Sequence, residues 1–228
     1  MKRLRERVHA ACRRSGRPED AVQILAVSKY QSLNKIREAF DCGQRDFAEN
    51  YVQEALYKQE QLYAMPVNWH FIGRIQSNKV KFLAGRFSKI HSVDRGSIVE
   101  TLHRLAPQRP QQIFLQFNAA NESTKAGADE IEIENLMNFI LERDHIRTLG
   151  LMVMPPPTDT PATVRPYFMR ARKLMERLRA QLTPEMRERH PLNELSMGTS
   201  QDYEVAIEEG STWIRVGTDV FGPREENG

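Results

Sequence analysis

The chain has 228 residues, 40% of them hydrophobic, which suits a globular domain with a sizeable core and excludes a disordered chain. Its 33 Lys and Arg against 30 Asp and Glu leave a formal charge of +3, too small an excess to argue for a nucleic-acid partner. No apolar run approaches the roughly 18–20 residues of a membrane span, and Cys12 and Cys42 form neither a disulfide framework nor a metal spacing. The composition therefore points to a soluble protein of a reducing compartment, most simply the cytoplasm.

The chain begins with a basic stretch, Lys2-Arg-Leu-Arg-Glu-Arg7, in which Leu4, Val8, Ala11 and Cys12 recur at helical spacing. An amphipathic helix with a solvated basic face accounts for it. A transit peptide would be poor in acid and rich in serine, and this segment carries Glu6 and no serine-rich stretch. After it, short apolar runs alternate with longer amphipathic ones. Strands are expected at Gln23–Lys29, Asp46–Asn50, Trp69–Gly73, Lys89–Val93, Ile113–Asn118, Leu149–Met154, Glu194–Gly198 and Trp213–Gly217. Helices are expected between them at Leu33–Cys42, Tyr51–Ala64, Ser77–Ala84, Ser97–Ala106, Asp129–Arg143, Pro161–Leu182 and Tyr203–Glu209, with Ser32 and Ser77 as candidate N-caps. Pro155-Pro-Pro157 reads as a stiff loop leaving the sixth strand.

Strands and helices in alternation imply parallel strands with right-handed crossovers, and eight units behind a leading helix imply a (β/α)8 TIM-type barrel in a single domain, 1–228. An open doubly wound sheet is the alternative, but no Gly-x-Gly-x-x-Gly follows the first strand. In such a barrel the site lies at the C-terminal strand ends. The first of these carries Lys29. A lysine closing a buried strand either escapes to solvent or acquires a lowered pKa, and a neutral amine is what Schiff-base chemistry with an aldehyde requires. Asn50 closes the second strand. Ser196-Met-Gly-Thr-Ser200 and Arg215-Val-Gly-Thr218 close the last two, where barrels often bind phosphate, with Ser200, Gly217 and Thr218 as candidate donors and Ser200 as a candidate helix cap. Arg215 shares a strand face with Gly217, so it needs an acceptor: an internal carboxylate or the ring nitrogen of a bound heterocycle. His70, among apolar neighbours, reads as a hydrogen-bonded core histidine.

Ile24-Leu-Ala-Val-Ser-Lys29, Phe47-Ala-Glu-Asn-Tyr-Val-Gln-Glu54, Trp69-His-Phe-Ile-Gly-Arg-Ile-Gln-Ser-Asn-Lys79, Leu195-Ser-Met-Gly-Thr-Ser200, Gly210-Ser-Thr-Trp-Ile-Arg-Val-Gly-Thr218 and Phe221-Gly222 together resemble the pyridoxal phosphate homeostasis protein family, in that family's order from about residue 23 to 222. The resemblance implies the fold-type III barrel of the alanine racemase N-terminal domain without that enzyme's second domain. It implies binding of pyridoxal 5'-phosphate, with no established catalytic activity. It makes Lys29 the Schiff-base lysine and Arg215 the arginine near the pyridine nitrogen. It makes Ser200, Gly217 and Thr218 the phosphate cradle, and Asn50 and Met197 neighbours of the cofactor. The chain departs from the family at Ala48, where glycine is usual, and at Thr199, where methionine is common. Cofactor-dependent apo-enzymes are the partners this reading suggests, with a monomer as the expected state. A racemase-like enzyme, and an interaction module whose basic first helix meets a partner, are the competing functions.

Overall fold

The computed structural model describes residues 1–105, 109–121 and 126–223. Eight strands, β1 Gln23–Val27, β2 Asp46–Glu49, β3 Asn68–Phe71, β4 Lys89–Val93, β5 Gln111–Phe117, β6 Ile146–Val153, β7 Glu194–Ser196 and β8 Trp213–Val216, close into one barrel in sequence order. Every pairing is parallel, and β1 closes on β8 through Leu25 opposite Arg215. The barrel expected from alternation is thus the fold.

Alternation along each strand sorts side chains into two layers. Leu25, Ala48, Ile72, Phe114, Leu149, Met152 and Trp213 fill the barrel itself. The opposite strand faces, such as Phe47, Phe71, Ile90, Leu115, Leu151 and Leu195, meet the apolar stripes of the surrounding helices. Those helices are α1 Lys2–Arg14, α2 Leu33–Asp41, α3 Val52–Gln61, α4 Gly96–Leu105, α5 Glu130–Leu141, α6 Arg165–Ala180, α7 Pro184–Arg189, α8 Tyr203–Glu208 and α9 Thr218–Phe221.

Leu4, Val8, Ala11 and Cys12 of α1 are buried against Tyr203, Ile207, Ile214 and Val216. Arg7 and Arg14 of its basic face both pair with Glu204 of α8 at 2.9 and 2.7 Å. Part of the charge that looked available to a partner therefore ties α1 to the barrel wall. Ser32 caps α2 by accepting from the Lys35 N–H.

The expected helix at Ser77–Ala84 is instead a 3-10 segment, Ser77–Phe82, preceded by Gln76 without a side-chain cap. Its one buried residue, Val80, is too small an anchor for an amphipathic face. The expected helix at 161–182 divides into a 3-10 turn, Pro161–Val164, and α6. The end expected at Ala106 lies outside the described residues. Two short helices, α7 and α9, carry no buried residue and so gave no apolar period to read.

Candidate functional site

At the C-terminal end of the barrel lies a cavity of about 280 Å³. Lys29 after β1, Asn50 after β2, Ser200 in the loop after β7, Arg215 on β8, and Gly217 and Thr218 after β8 all line it. The volume falls just below the roughly 300–1,000 Å³ of drug-sized small-molecule sites, so it suits a small ligand. Its lining holds two cationic side chains, Lys29 and Arg215, and among the described residues no carboxylate, so an anion is the ligand it accommodates best.

Met197 does not join these residues. It is fully buried and packs among the helix-facing side chains, because alternation turns Ser196 into the barrel and Met197 away from it. Ser200 is not a cap either: the residue preceding α8 is Asp202.

Arg215 is 3% exposed. Its Nη1 donates to the Ser196 carbonyl and to Ser196 Oγ at 2.9 Å, and its Nη2 donates to the Val153 carbonyl at 2.7 Å. Neutral oxygens thus hold the guanidinium. Burial lowers its pKa to about 10, so it stays protonated at neutral pH. Its Nε is buried without a partner among the described residues, and so is Asn50 Oδ1. Buried polar groups are seldom left so, which makes both of them places for a ligand's hydrogen bonds.

The backbone carrying Lys29 is held from below, by residues the sequence reading passed over. Lys58 on α3, almost fully buried, donates to the Ser28 carbonyl at 2.6 Å, to Glu49 at 2.8 Å and to Glu54 at 2.7 Å. Ser28 Oγ also donates to Glu49, at 2.6 Å. Burial raises the Glu49 pKa, and the Lys58 ammonium opposes that rise. Tyr30, next to Lys29, takes the left-handed φ of +62°, and its N–H donates to Glu54 at 2.6 Å. The spacing of Glu54 and Lys58, one helical turn apart, was the available signal.

Two glycines shape the rim. A Cβ at Gly73 would fall 1.9 Å from the Asn50 carbonyl oxygen, so only glycine lets the ends of β2 and β3 meet there. Gly198 has φ +96°, and a Cβ on it would meet Ala206 at 2.7 Å, which closes the β7 loop onto α8. Thr199 in that loop turns its hydroxyl and its N–H onto Asp202, at 2.9 and 2.6 Å. Ala48 is fully buried inside the barrel, and its φ is not positive, so its methyl adds packing without strain.

The family model of the alanine racemase N-terminal domain matches residues 1–225. The pyridoxal phosphate homeostasis protein of Aquifex aeolicus is 40% identical over 99% of this chain and 97% of its own length, and that of Pseudomonas aeruginosa is 41% identical over 96% and 92%. The chain belongs to the pyridoxal phosphate homeostasis protein family. Within solved structures, that of PipY from Synechococcus elongatus with PLP bound has 38% identity and a TM-score of 0.80, covering 96% of this chain and 100% of PipY. Alanine racemase from Corynebacterium glutamicum shares the fold at a TM-score of 0.69 with 12% identity, and this chain covers 60% of that enzyme. Like its homeostasis-protein relatives, the chain therefore carries the racemase barrel at nearly full family length.

Proposed function

We propose that this protein binds pyridoxal 5'-phosphate in the strand-end cavity, held covalently through Lys29, and serves pyridoxal phosphate homeostasis without catalytic turnover. The observation that carries the reading is the convergence of Lys29 and the buried, incompletely satisfied Arg215 on one cationic cavity. The residues present fit the cofactor. Lys29 offers an amine for its aldehyde. Ser200, Thr218 and the backbone at Gly217 offer donors for its phosphate, and the first N–H groups of α9 have no helical partner of their own. The free Nε–H of Arg215 suits an unprotonated ring nitrogen.

Bound, the cofactor supplies an electron-withdrawing aldehyde with which an amine can condense. The chain's residues limit its use. Arg215 remains a cation that can only donate, so it cannot accept a hydrogen bond from a protonated ring nitrogen; it would hold that nitrogen unprotonated and leave the ring a weak electron sink. Lys29 and Arg215 are the only titratable side chains among the described residues lining the cavity, so a second acid or base for two-sided proton exchange is missing from the described lining. Both features favour holding the cofactor over racemisation. In this reading the protein works as a cytoplasmic monomer and passes cofactor to dependent apo-enzymes.

An absorbance titration with pyridoxal 5'-phosphate tests it. A new band shifted from that of free cofactor, lost in Lys29→Ala, is expected. No band, or the same band in Lys29→Ala, would defeat the reading.

A further inference from the structure

Behind the cavity a file of hydrogen-bonded side chains crosses the barrel. Arg215 Nη1 meets Ser196 Oγ at 2.9 Å, Ser196 Oγ meets His91 Nδ1 at 2.8 Å, His91 Nε2 meets His70 Nδ1 at 3.0 Å, and His70 Nε2 meets Asp46 Oδ1 at 3.1 Å. Ser196, His70 and His91 are fully buried. Asp46 opens β2 at the opposite end of the barrel, with a side chain 21% exposed. The rings are clamped: His91 stacks on Phe114 at 4.3 Å, and His70 lies 5.1 Å from Trp213.

The two ends dictate where every hydrogen goes. A guanidinium only donates, and an ionised carboxylate only accepts. His70 must therefore place its proton on Nε2, facing Asp46, which leaves Nδ1 as an acceptor. His91 must then donate from Nε2 and accept at Nδ1. Ser196 must donate to His91 and accept from Arg215. The reverse sense would set the bare Nε2 of His70 against a carboxylate oxygen. Doubly protonated rings are also disfavoured. Burial lowers the pKa of both histidines. Asp46 opposes this at His70, whereas for His91 the neighbouring Arg215 and Lys89 charges lower it further. Burial alone would raise the Asp46 pKa, but the hydrogen bonds from His70 and Asn68 together with nearby positive charge, Lys89 included, hold it below the ordinary carboxylate value.

We propose that Asp46, His70, His91 and Ser196 are positioning residues for Arg215: a relay of one fixed sense, set by the Asp46 carboxylate, that keeps Ser196 an acceptor and aims the remaining Arg215 Nε–H at the bound ring. The relay's direction stands on its own geometry, and its purpose rests on the cofactor reading above. Charge at one end of the barrel thereby reaches the cofactor at the other with no side chain moving.

Histidine ring-nitrogen NMR on ¹⁵N-labelled protein without cofactor reports the sense directly. Wild type should show His70 and His91 as neutral Nε2–H tautomers at pH 7; an Nδ1–H tautomer at either ring overturns the relay. Asp46→Leu removes the acceptor and should mix the tautomers, shift the pH midpoint of the bound cofactor's absorbance and weaken its affinity roughly three- to tenfold, the scale of one oriented hydrogen bond. Asp46→Asn retains an acceptor oxygen and should restore all three. If Asp46→Leu mixes the tautomers while absorbance midpoint and affinity stay at wild type, the positioning role is refuted. Wild-type protein in which both rings are Nε2–H tautomers but which binds no cofactor refutes the cofactor reading instead and leaves the relay's sense supported. The wild-type tautomers need no variant to fold.

Discussion

Lys58 braces the backbone beside Lys29 by donating to the Ser28 carbonyl. Its ammonium replaces the water that Ser28, Glu49 and Glu54 would otherwise need, and Glu49 is fully buried beside it. Removing one partner of such a pair strands the other charge. Lys58→Met should destabilise the protein by about 3–5 kcal/mol, read as a lower urea midpoint at unchanged slope. Adding Glu49→Leu to that variant should recover a large part of the loss, because an apolar pair strands no charge. A single variant as stable as wild type would show that the network holds nothing. Arg215 poses the opposite case: two of its nitrogens are satisfied by neutral oxygens, and the third has no partner among the described residues. That arrangement is costly unless a ligand completes it, and it is the residue-level sign that the cavity is built to be filled.

Elements whose signal is local could be read from the sequence. The eight strands were legible because each is a short apolar run bounded by polar or glycine residues, and α1 because four apolar residues recur on one face. Seven of the eight strand ends lie one or two residues short of the expected ones, β4 alone ending at Val93 as expected: β1 stops at Val27, and Lys29 stands in the turn beyond it. That error helped, since it put Lys29 in the site for the right topological reason. Met197, placed beside the cofactor by the resemblance, lies outside the cavity lining for a reason of period. Adjacent residues on a strand face opposite ways, so Ser196 and Met197 cannot both face the barrel interior, and the apolar one went to the helix layer. The Asp46 to Arg215 file was not legible at all. Its members come from five strands, and only barrel closure brings residues so distant in sequence into contact.

For the whole molecule, buried neutral histidines set the response to acid. His70 and His91 are fully buried, and His190, 1% exposed, has its pKa lowered to about 4, chiefly by burial. Below about pH 6.5 the unfolded chain takes up protons at these rings that the folded chain refuses, so stability falls as pH falls from 6.5 towards 4 and is fully present above 6.5. At pH 5, which lies about 1.5 units below the ordinary histidine value and still above that of folded His190, the loss from His190 alone is about 2 kcal/mol, and His70 and His91 add to it. Urea midpoints at pH 7 and pH 5 check this; equal midpoints would mean the rings are not held neutral. The same packing that keeps these histidines neutral gives the barrel its closed lower half and leaves its upper end open as a cationic cavity.

The central claim is that this cavity holds pyridoxal 5'-phosphate on Lys29. Its most direct test is to incubate the protein with the cofactor, reduce with borohydride, digest, and locate the added mass by peptide mass spectrometry. One modified peptide is expected, carrying the cofactor on Lys29. Modification scattered over exposed lysines with Lys29 unlabelled would contradict it.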